Sequence, residues 1–372
     1  MAQPEFIERD VNQIVTEMVA QYEQLSGKTL QPAQVERLLI NTFAYRESLI
    51  REKIQYAALQ NLVEYANAPV LDELGRLVGV TRLAASAATV EVEFTLVPGH
   101  GGVTIPAETR VASTDNKAVF TPENDIIVPA GTNTVTATCT SVSTGTTANG
   151  YAVGTVTNIL DPLAFLSEVA NTTVSGGGAD QESDSALRER IKLAPSSFSN
   201  AGSKGAYEYF ARSANPSIID VEVLGPNDTP ATLPGEVNVY PLMEDGTTTP
   251  QTVLNQVAAA VNAEKVRPLT DLVNVIAPTL IDYELEVDVT IFNGYDATEI
   301  HDAVEAKLNA FVLAKRKTLG QDIKLSQIVA QCMIDGVYDA HVVMPGADII
   351  ISAIEYGYCL SVLVNIAGST NG

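Results

Sequence analysis

Apolar residues in the first fifth of the chain fall at helical spacing. Val11, Ile14, Val15, Met18, Tyr22 and Leu25 recur at i, i+3, i+4 and i+7, which places them on one face of a helix. Ser26-Gly27 predicts the end of that helix, because glycine accepts the left-handed cap conformation. Pro32 suits a new first turn, and a long helix follows with Val35, Leu38, Leu39, Thr42, Leu49, Ile50, Ile54, Ala57 and Leu62. Pro69 breaks it, and a short helix over 70–78 ends at Gly79. Each helix has one apolar stripe and few residues to cover it. Burial against partner chains and packing within the chain are both open on this pattern.

The period then changes. Val90, Val92, Phe94 and Leu96 alternate with Glu91, Glu93 and Thr95, a spacing of two that predicts a half-buried strand. Turn signals at 98–102 and 129–132, and a Thr-, Val-, Ser- and Gly-rich stretch over 132–157, predict an all-β region running to about Val174. Gly176-Gly177-Gly178 closes it. Beyond lie predicted helices over 183–192 and 203–214, strands over 218–224 and 236–242, a helix over 250–265 and a strand over 272–277. Tyr283, Leu285, Val287, Val289 and Ile291 alternate with Glu284, Glu286, Asp288 and Thr290 in the clearest strand of all. Helices over 297–314 and 325–334, a strand over 337–344 and a final strand pair within 349–366 complete the pattern, and the apolar run 349–354 reads as a buried strand. The expected fold class is multi-domain α+β: an N-terminal helical bundle segment, a central all-β domain and C-terminal α+β domain(s) with helices on one face of the sheet. Expected domains are 1–85 (helical), 86–175 (β-rich), 176–280 (α+β) and 281–372 (α+β), with flexible Gly/Pro joints near Pro69, 176–178 and 226–234.

Composition narrows the function. The 372 residues are 46% hydrophobic and 18% charged, as in globular proteins with more than one core. Tryptophan is absent, so Val, Ile, Leu and Ala must carry the packing. A net charge of −23 repels phosphate backbones and disfavours nucleic-acid binding. The short basic runs Arg188/Arg190/Lys192 and Lys315/Arg316/Lys317 read as solvated helix ends. Cys139, Cys332 and Cys359 are odd in number and far apart, which argues against a disulfide framework and for a reducing cytoplasm. The acidic N-terminus lacks a signal-peptide pattern, and no run approaches the roughly 18 apolar residues of a membrane span. The N-x-T sequons at Asn171 and Asn227 read as chance matches.

No chemistry stands out. His100, His301 and His341 read as isolated, without a second ligand at metal spacing on a helix face. Gly176–Gly178 precede a helix, where free N–H groups could cradle phosphate, but neither dinucleotide nor P-loop fingerprints occur and Asp180, Glu182 and Asp184 would repel an anion. Those acidic residues instead complement the helix dipole, and Asp184 can pair with Arg188 at i, i+4. As a calcium loop the stretch lacks the glycine and terminal glutamate that such loops use. With no G-x-S-x-G elbow and no distinctive carboxylate pair, neither a cofactor, a metal nor a catalytic residue is expected, and the reading is of a non-enzyme.

The stretch from Gly176 to Ile191 resembles the signature of the Baseplate J-like family: Gly-Gly, an acidic cluster, then Leu-Arg-x-Arg and an apolar residue. The match falls on Gly177, Gly178, Asp180, Glu182, Asp184, Leu187, Arg188 and Arg190. Further resemblances keep the family order at 71–82, 103–109, 128–132, Asn200-Ala201-Gly202-Ser203, Ala206-Tyr207-Glu208, 235–239, Arg267-Pro268-Leu269-Thr270-Asp271 and 335–339. One departure is Asn67-Ala68, where the family usually shows a glycine. The resemblance implies a structural wedge subunit of a contractile phage tail, bacteriocin or injection-system baseplate, assembled in the bacterial cytoplasm. Its implied partners are other copies of itself, an I-type wedge subunit, a GPW-type subunit and the hub, spike and sheath neighbourhood, with no nucleic acid and no membrane insertion. It also implies that the N-terminal helices bundle with those partners through Val11, Ile14, Met18, Leu25, Val35, Leu38, Leu39, Leu49 and Ile54. Two other readings stand beside it: a trimeric tail-fibre or receptor-binding protein, from the Thr-rich β region, and a tail-associated hydrolase.

Overall fold

A computed structural model describes residues 3–199, 202–244, 246 and 248–372. The chain forms two compact units, Met1–Thr81 and Arg82–Gly372.

The first unit is helical: α1 (Val11–Ser26), α2 (Val35–Leu59) and α3 (Val70–Leu77). Asp10 caps α1 by accepting from the Asn12 N–H, and Gly27 ends it at φ 68°, its own N–H returning to the Glu23 carbonyl. The segment before α1 is tied to α2. Gln55 accepts from the Phe6 N–H at 2.8 Å and donates to the Pro4 carbonyl at 2.7 Å, while Arg9 reaches Glu52 at 3.2 Å. The buried side of α2 is small or polar (Ala44, Ser48, Gln55 and Leu59), and its large apolar residues are exposed. Ile14 does not lie on an outward face as expected. It is 1% exposed, its side chain consumed by packing within the chain.

The second unit begins with eight strands: β1 (Ala87–Leu96), β2 (Val103–Ile105), β3 (Val111–Ser113), β4 (Val119–Pro122), β5 (Ile126–Val128), β6 (Thr134–Thr144), β7 (Val156–Ile159) and β8 (Leu166–Asn171). Six of them run in the order β7-β3-β4-β6-β1-β8 and curl into a nearly closed barrel, and β2 pairs with β5. Ala88, Val90, Val92, Phe94 and Leu96, the alternating set of β1, all point into its core with Phe120, Val128 and Val156. The two ends of the strand order, β7 and β8, lie side by side. Asn171 stitches that seam: its Oδ1 accepts from the Thr155 and Val156 N–H groups at 2.9 and 2.8 Å, and its Nδ2 donates to the Ala152 and Thr173 carbonyls.

Two three-stranded sheets follow, so the second half builds two layers rather than one. After α4 (Asp184–Leu193), helices α5 (Lys204–Ala214) and α6 (Gln251–Val261) pack on β9 (Ile218–Leu224), β10 (Glu236–Met243) and β11 (Leu272–Val275), in the order β11-β10-β9. Helices α7 (Ala297–Arg316) and α8 (Leu325–Cys332) cover β12 (Thr279–Phe292), β13 (Val337–Met344) and β14 (Glu355–Thr370), in the order β13-β12-β14. The strand β14 runs parallel to β12 and β13 antiparallel to it. A shared core of Leu224, Tyr240, Leu242, Leu319 and Tyr356 joins the two layers.

Two expectations fail here. The final strand pair is one long strand, β14, and the apolar run 349–354 touches a sheet only through an isolated bridge from Ile349 to Ile323. Its backbone is instead captured by a side chain, the Asp322 carboxylate accepting from the Ile351 N–H at 2.9 Å. The basic runs are solvated only in part, with Lys192 exposed and Arg188 and Lys317 half-buried. Lys315 is 9% exposed and donates to the Asp322 carbonyl at 2.8 Å, Arg316 lies 4.3 Å over the Tyr358 ring, and Arg190 is buried.

Candidate functional site

The signature stretch assembles a buried junction. Gly176 pairs with Thr89 and Ala179 with Ser86 by reciprocal backbone hydrogen bonds, so the glycine run lies along the start of β1. Between those two bridges the Gly177 carbonyl accepts from Ser86 Oγ at 3.0 Å and from Asn215 Nδ2 at 3.1 Å. Asn149 matches both polar groups of Gly178, accepting its N–H at 3.0 Å and donating to its carbonyl at 2.8 Å.

The glycines lie in crowded surroundings. A Cβ on Gly178 would sit 2.4 Å from the Gly145 carbonyl oxygen, and one on Gly176 would sit 3.1 Å from Pro250 Cβ. Gly177 adds a φ of +85°, which a side chain would strain.

Glu182 and Arg190 form the electrostatic centre. The Arg190 Nε and Nη2 donate to the two Glu182 carboxylate oxygens at 2.6 and 2.8 Å, and the side chains are 5% and 1% exposed for Arg190 and Glu182. This fork-to-fork geometry is the strong form of the pair. The remaining capacity is used as well. Glu182 Oε2 accepts from the Leu83 N–H at 2.9 Å, and Arg190 Nη1 donates to Ser213 Oγ on α5 at 3.0 Å. Arg82 completes the cluster, donating to the Glu182 carbonyl at 2.7 Å and to Asp184 Oδ1 at 2.6 Å. Asp184 is thus engaged by a residue far upstream, a partner that i, i+4 reasoning does not find. Ser183 caps α4 by accepting from the Ala186 N–H, as a helix start at that position requires.

Of the other signature residues, Leu187 is fully buried, Arg188 and Asp184 are half-buried, and Asp180 is exposed. A cleft of about 400 Å³ opens beside the start of α4, lined among others by Asn149, Asp180, Ser183 and Glu189. Its two cations are committed: Arg212 to Glu208 and Asp220, and Lys317 to Glu244.

Other stretches of the family pattern also converge. The Tyr207 hydroxyl donates to Asp271 Oδ2 at 2.8 Å, and burial together with that carboxylate pushes its pKa up. A Cβ on Gly202 would meet the same carboxylate at 2.6 Å, while Asn200 and Ala201 lie outside the described residues. Ser86, Asn149, Asn171 and Asn215 escape sequence reasoning, because each acts through partners distant in the chain. The group of His301, Asp302 and Glu305, whose ligand atoms lie within 4.8 Å of one another, is by contrast local in the sequence. Glu305 stands one helical turn from His301, so this histidine is not isolated as expected. The group is half to fully exposed, and His301 Nδ1 contacts Asp302 at 3.0 Å.

The expected interface residues divide by exposure. Leu25, Val35, Leu38, Leu39, Leu49 and Ile54 are exposed, Val11 and Met18 are half-buried, and Ile14 is buried. Among the described residues no helix is long and apolar enough to cross a membrane.

Comparison with known proteins gives a consistent result. Four family models match in chain order: the Baseplate J-like N-terminal domain over 36–89, the Baseplate J-like protein barrel domain over 91–178, the Baseplate J-like central domain over 199–277 and the Baseplate J-like protein C-terminal domain over 283–364. Baseplate protein J of Escherichia phage P2 is 32% identical over 199 residues, covering 54% of this chain and 64% of that protein, so the match spans less than two thirds of the relative. The cryo-EM structure of the anti-feeding prophage (AFP) baseplate, 6-fold symmetrised, aligns over 93% of this chain and 90% of that chain, with 13% identity and a TM-score of 0.37, a score too low to bear on function. With the four matches succeeding one another along most of its length, the chain belongs to the Baseplate J-like family.

Proposed function

We propose that this protein is a structural wedge subunit of the baseplate in a contractile tail or contractile injection system, where it takes part in the ring around the hub and couples a receptor signal to sheath contraction. Family membership supports the baseplate setting. The observation that carries the wedge role is the inverted helix α2. Its buried side presents Ala44, Ser48, Gln55 and Leu59, whereas Val35, Leu38, Leu39, Leu49 and Ile54 are 68, 57, 53, 46 and 48% exposed. Phe43 and Ile50 extend the same exposed apolar surface. An apolar face of that size in water is unfavourable by roughly 25 cal/mol for every Å² left uncovered, so it belongs against another helix. Helices from further wedge chains are the fitting cover: a second copy, an I-type subunit or a GPW-type subunit. In this role the work is mechanical and no catalysis is assigned.

The test is Leu38→Asp with Leu39→Asp, made in the complete particle. Both side chains are exposed, so the chain itself should fold with an unchanged circular dichroism spectrum. Assembled baseplates, counted by negative-stain electron microscopy, should be lost. Particles of normal number and shape would defeat the wedge reading.

A further inference from the structure

The junction around Gly177 has a mechanical consequence independent of any assembly role. We propose that the signature loop is a rigid clasp that fuses the barrel to the central layer, so that Arg82–Gly372 turns as a single body instead of bending at its glycines.

The observation behind it is that single groups of the loop are bound from both sides at once. The Gly177 carbonyl accepts one hydrogen bond from Ser86, on the barrel, and another from Asn215, at the end of α5. Asn215 is itself fixed by Gln256 of α6, its Nδ2 donating to Gln256 Oε1 at 2.9 Å. The loop backbone is pressed between Gly145 of the barrel and Pro250 and Thr252 of the central layer. Arg190 repeats the pattern, holding Glu182 with one edge of its guanidinium and Ser213 with another, while Glu182 holds the Leu83 N–H that leads into β1. Rotating the central layer about the loop would break these bonds together, leaving buried donors and acceptors unpaired. That is a steep barrier and the opposite of a hinge. A glycine with room to move has the surroundings of Gly99, which has nothing within 4 Å.

The C-terminal layer is locked to the central one by separate means. Besides the shared core of Leu242, Leu319 and Tyr356, the Leu319 N–H donates to Asp220 Oδ2 at 2.9 Å and Lys317 pairs with Glu244 at 3.2 Å. The rigid body therefore extends through all three layers.

The test uses the full chain with Cys359→Ser and spin labels at Val142→Cys on β6 and Leu272→Cys on β11, both exposed positions. Pulsed dipolar spectroscopy should give one narrow distance distribution for the otherwise native protein. A broad or two-peaked distribution there would overturn the clasp, whatever any variant does. Adding Arg190→Ala, or separately Asn215→Ala, should broaden the distribution or give it a second peak. A folded variant with the native narrow distribution would also overturn the assignment, since the rigidity would then reside elsewhere. If either variant does not fold, the other and the native protein still decide.

Discussion

Removing the side chain of Asn171 should open the barrel at its seam without unfolding the rest. Asn171 is 1% exposed and makes four side-chain hydrogen bonds, two accepted and two donated. The four partners are not equal. Ala152 and Thr173 are exposed and Thr155 is half-buried, so in Asn171→Ala water can replace the lost bond at each with little penalty. Val156 is fully buried, and its N–H would be left without a partner in an apolar core, at about 1–3 kcal/mol. Adding a fraction of about 1 kcal/mol for each wetted bond brings the total to about 3 kcal/mol. Every 1.4 kcal/mol is a tenfold change in an equilibrium, so opening at the seam should become about 100-fold more frequent. Hydrogen exchange followed by mass spectrometry reads this directly. Peptides covering 152–160 and 167–173 should lose protection by about that factor, while peptides from β12 keep theirs, because opening of this kind is local. The paired ladder of β1 and β6 supplies an internal control within the barrel. Native protection at Val156 in a folded Asn171→Ala protein would refute the seam assignment, and equal loss everywhere would show that the stitch sustains the whole unit.

The remaining predictions concern charge and thiols. Either Glu182→Leu or Arg190→Met alone should destabilise by about 3–5 kcal/mol in urea unfolding by stranding a buried charge, whereas the double variant should lose much less, and an additive double would contradict the pairing. Burial pushes the Cys139 thiol up to about 12 and the Cys332 thiol up to about 11, so Ellman's reagent at pH 8 should detect at most Cys359 in the native protein and all three thiols after denaturation. Hydrogen bonds from the Arg110 side chain and backbone hold Asp161 down to about 2, so this pair stabilises the fold above the ordinary carboxylate range near pH 4, and the contribution is lost as pH falls towards 2. The Asp161 carboxyl resonance should accordingly titrate near pH 2 and move up towards about 4 in Arg110→Ala.

Period and punctuation make most of the elements legible in the sequence alone. The alternation through Val90 to Leu96 and through Tyr283 to Ile291 reports one buried face on each strand, and both strands appear where it places them. Gly27 ends α1 and Ser183 caps α4 for local reasons that a sequence displays. What fails is whatever depends on a distant partner. The run 349–354 has the hydrophobicity of a strand, but the strand position beside β12 is taken by β14 and the run's backbone is claimed by Asp322 and Ile323. Lys315 and Arg190 look like ordinary helix-end cations until Asp322 and Glu182 come within reach. The family signature is visible as a string. Its meaning as a junction is not, because Ser86, Asn149, Asn215 and Pro250 are spread over 165 positions with no mutual spacing.

The two units solve opposite problems with opposite residue types. In Arg82–Gly372 the barrel meets the central layer through polar groups such as the Gly177 carbonyl, Arg190 and Glu182, each with several partners, and each bond removed exposes a buried group to a desolvation penalty. Such contacts are worth little in net stability yet tolerate only one geometry, as the proposed clasp requires. In Met1–Thr81 the uncommitted surface of α2 is apolar, non-directional and able to accept more than one neighbouring helix. Directional polar contacts between the barrel and the central layer, beside an exposed apolar stripe on α2, are the division of labour that the proposed wedge role would use.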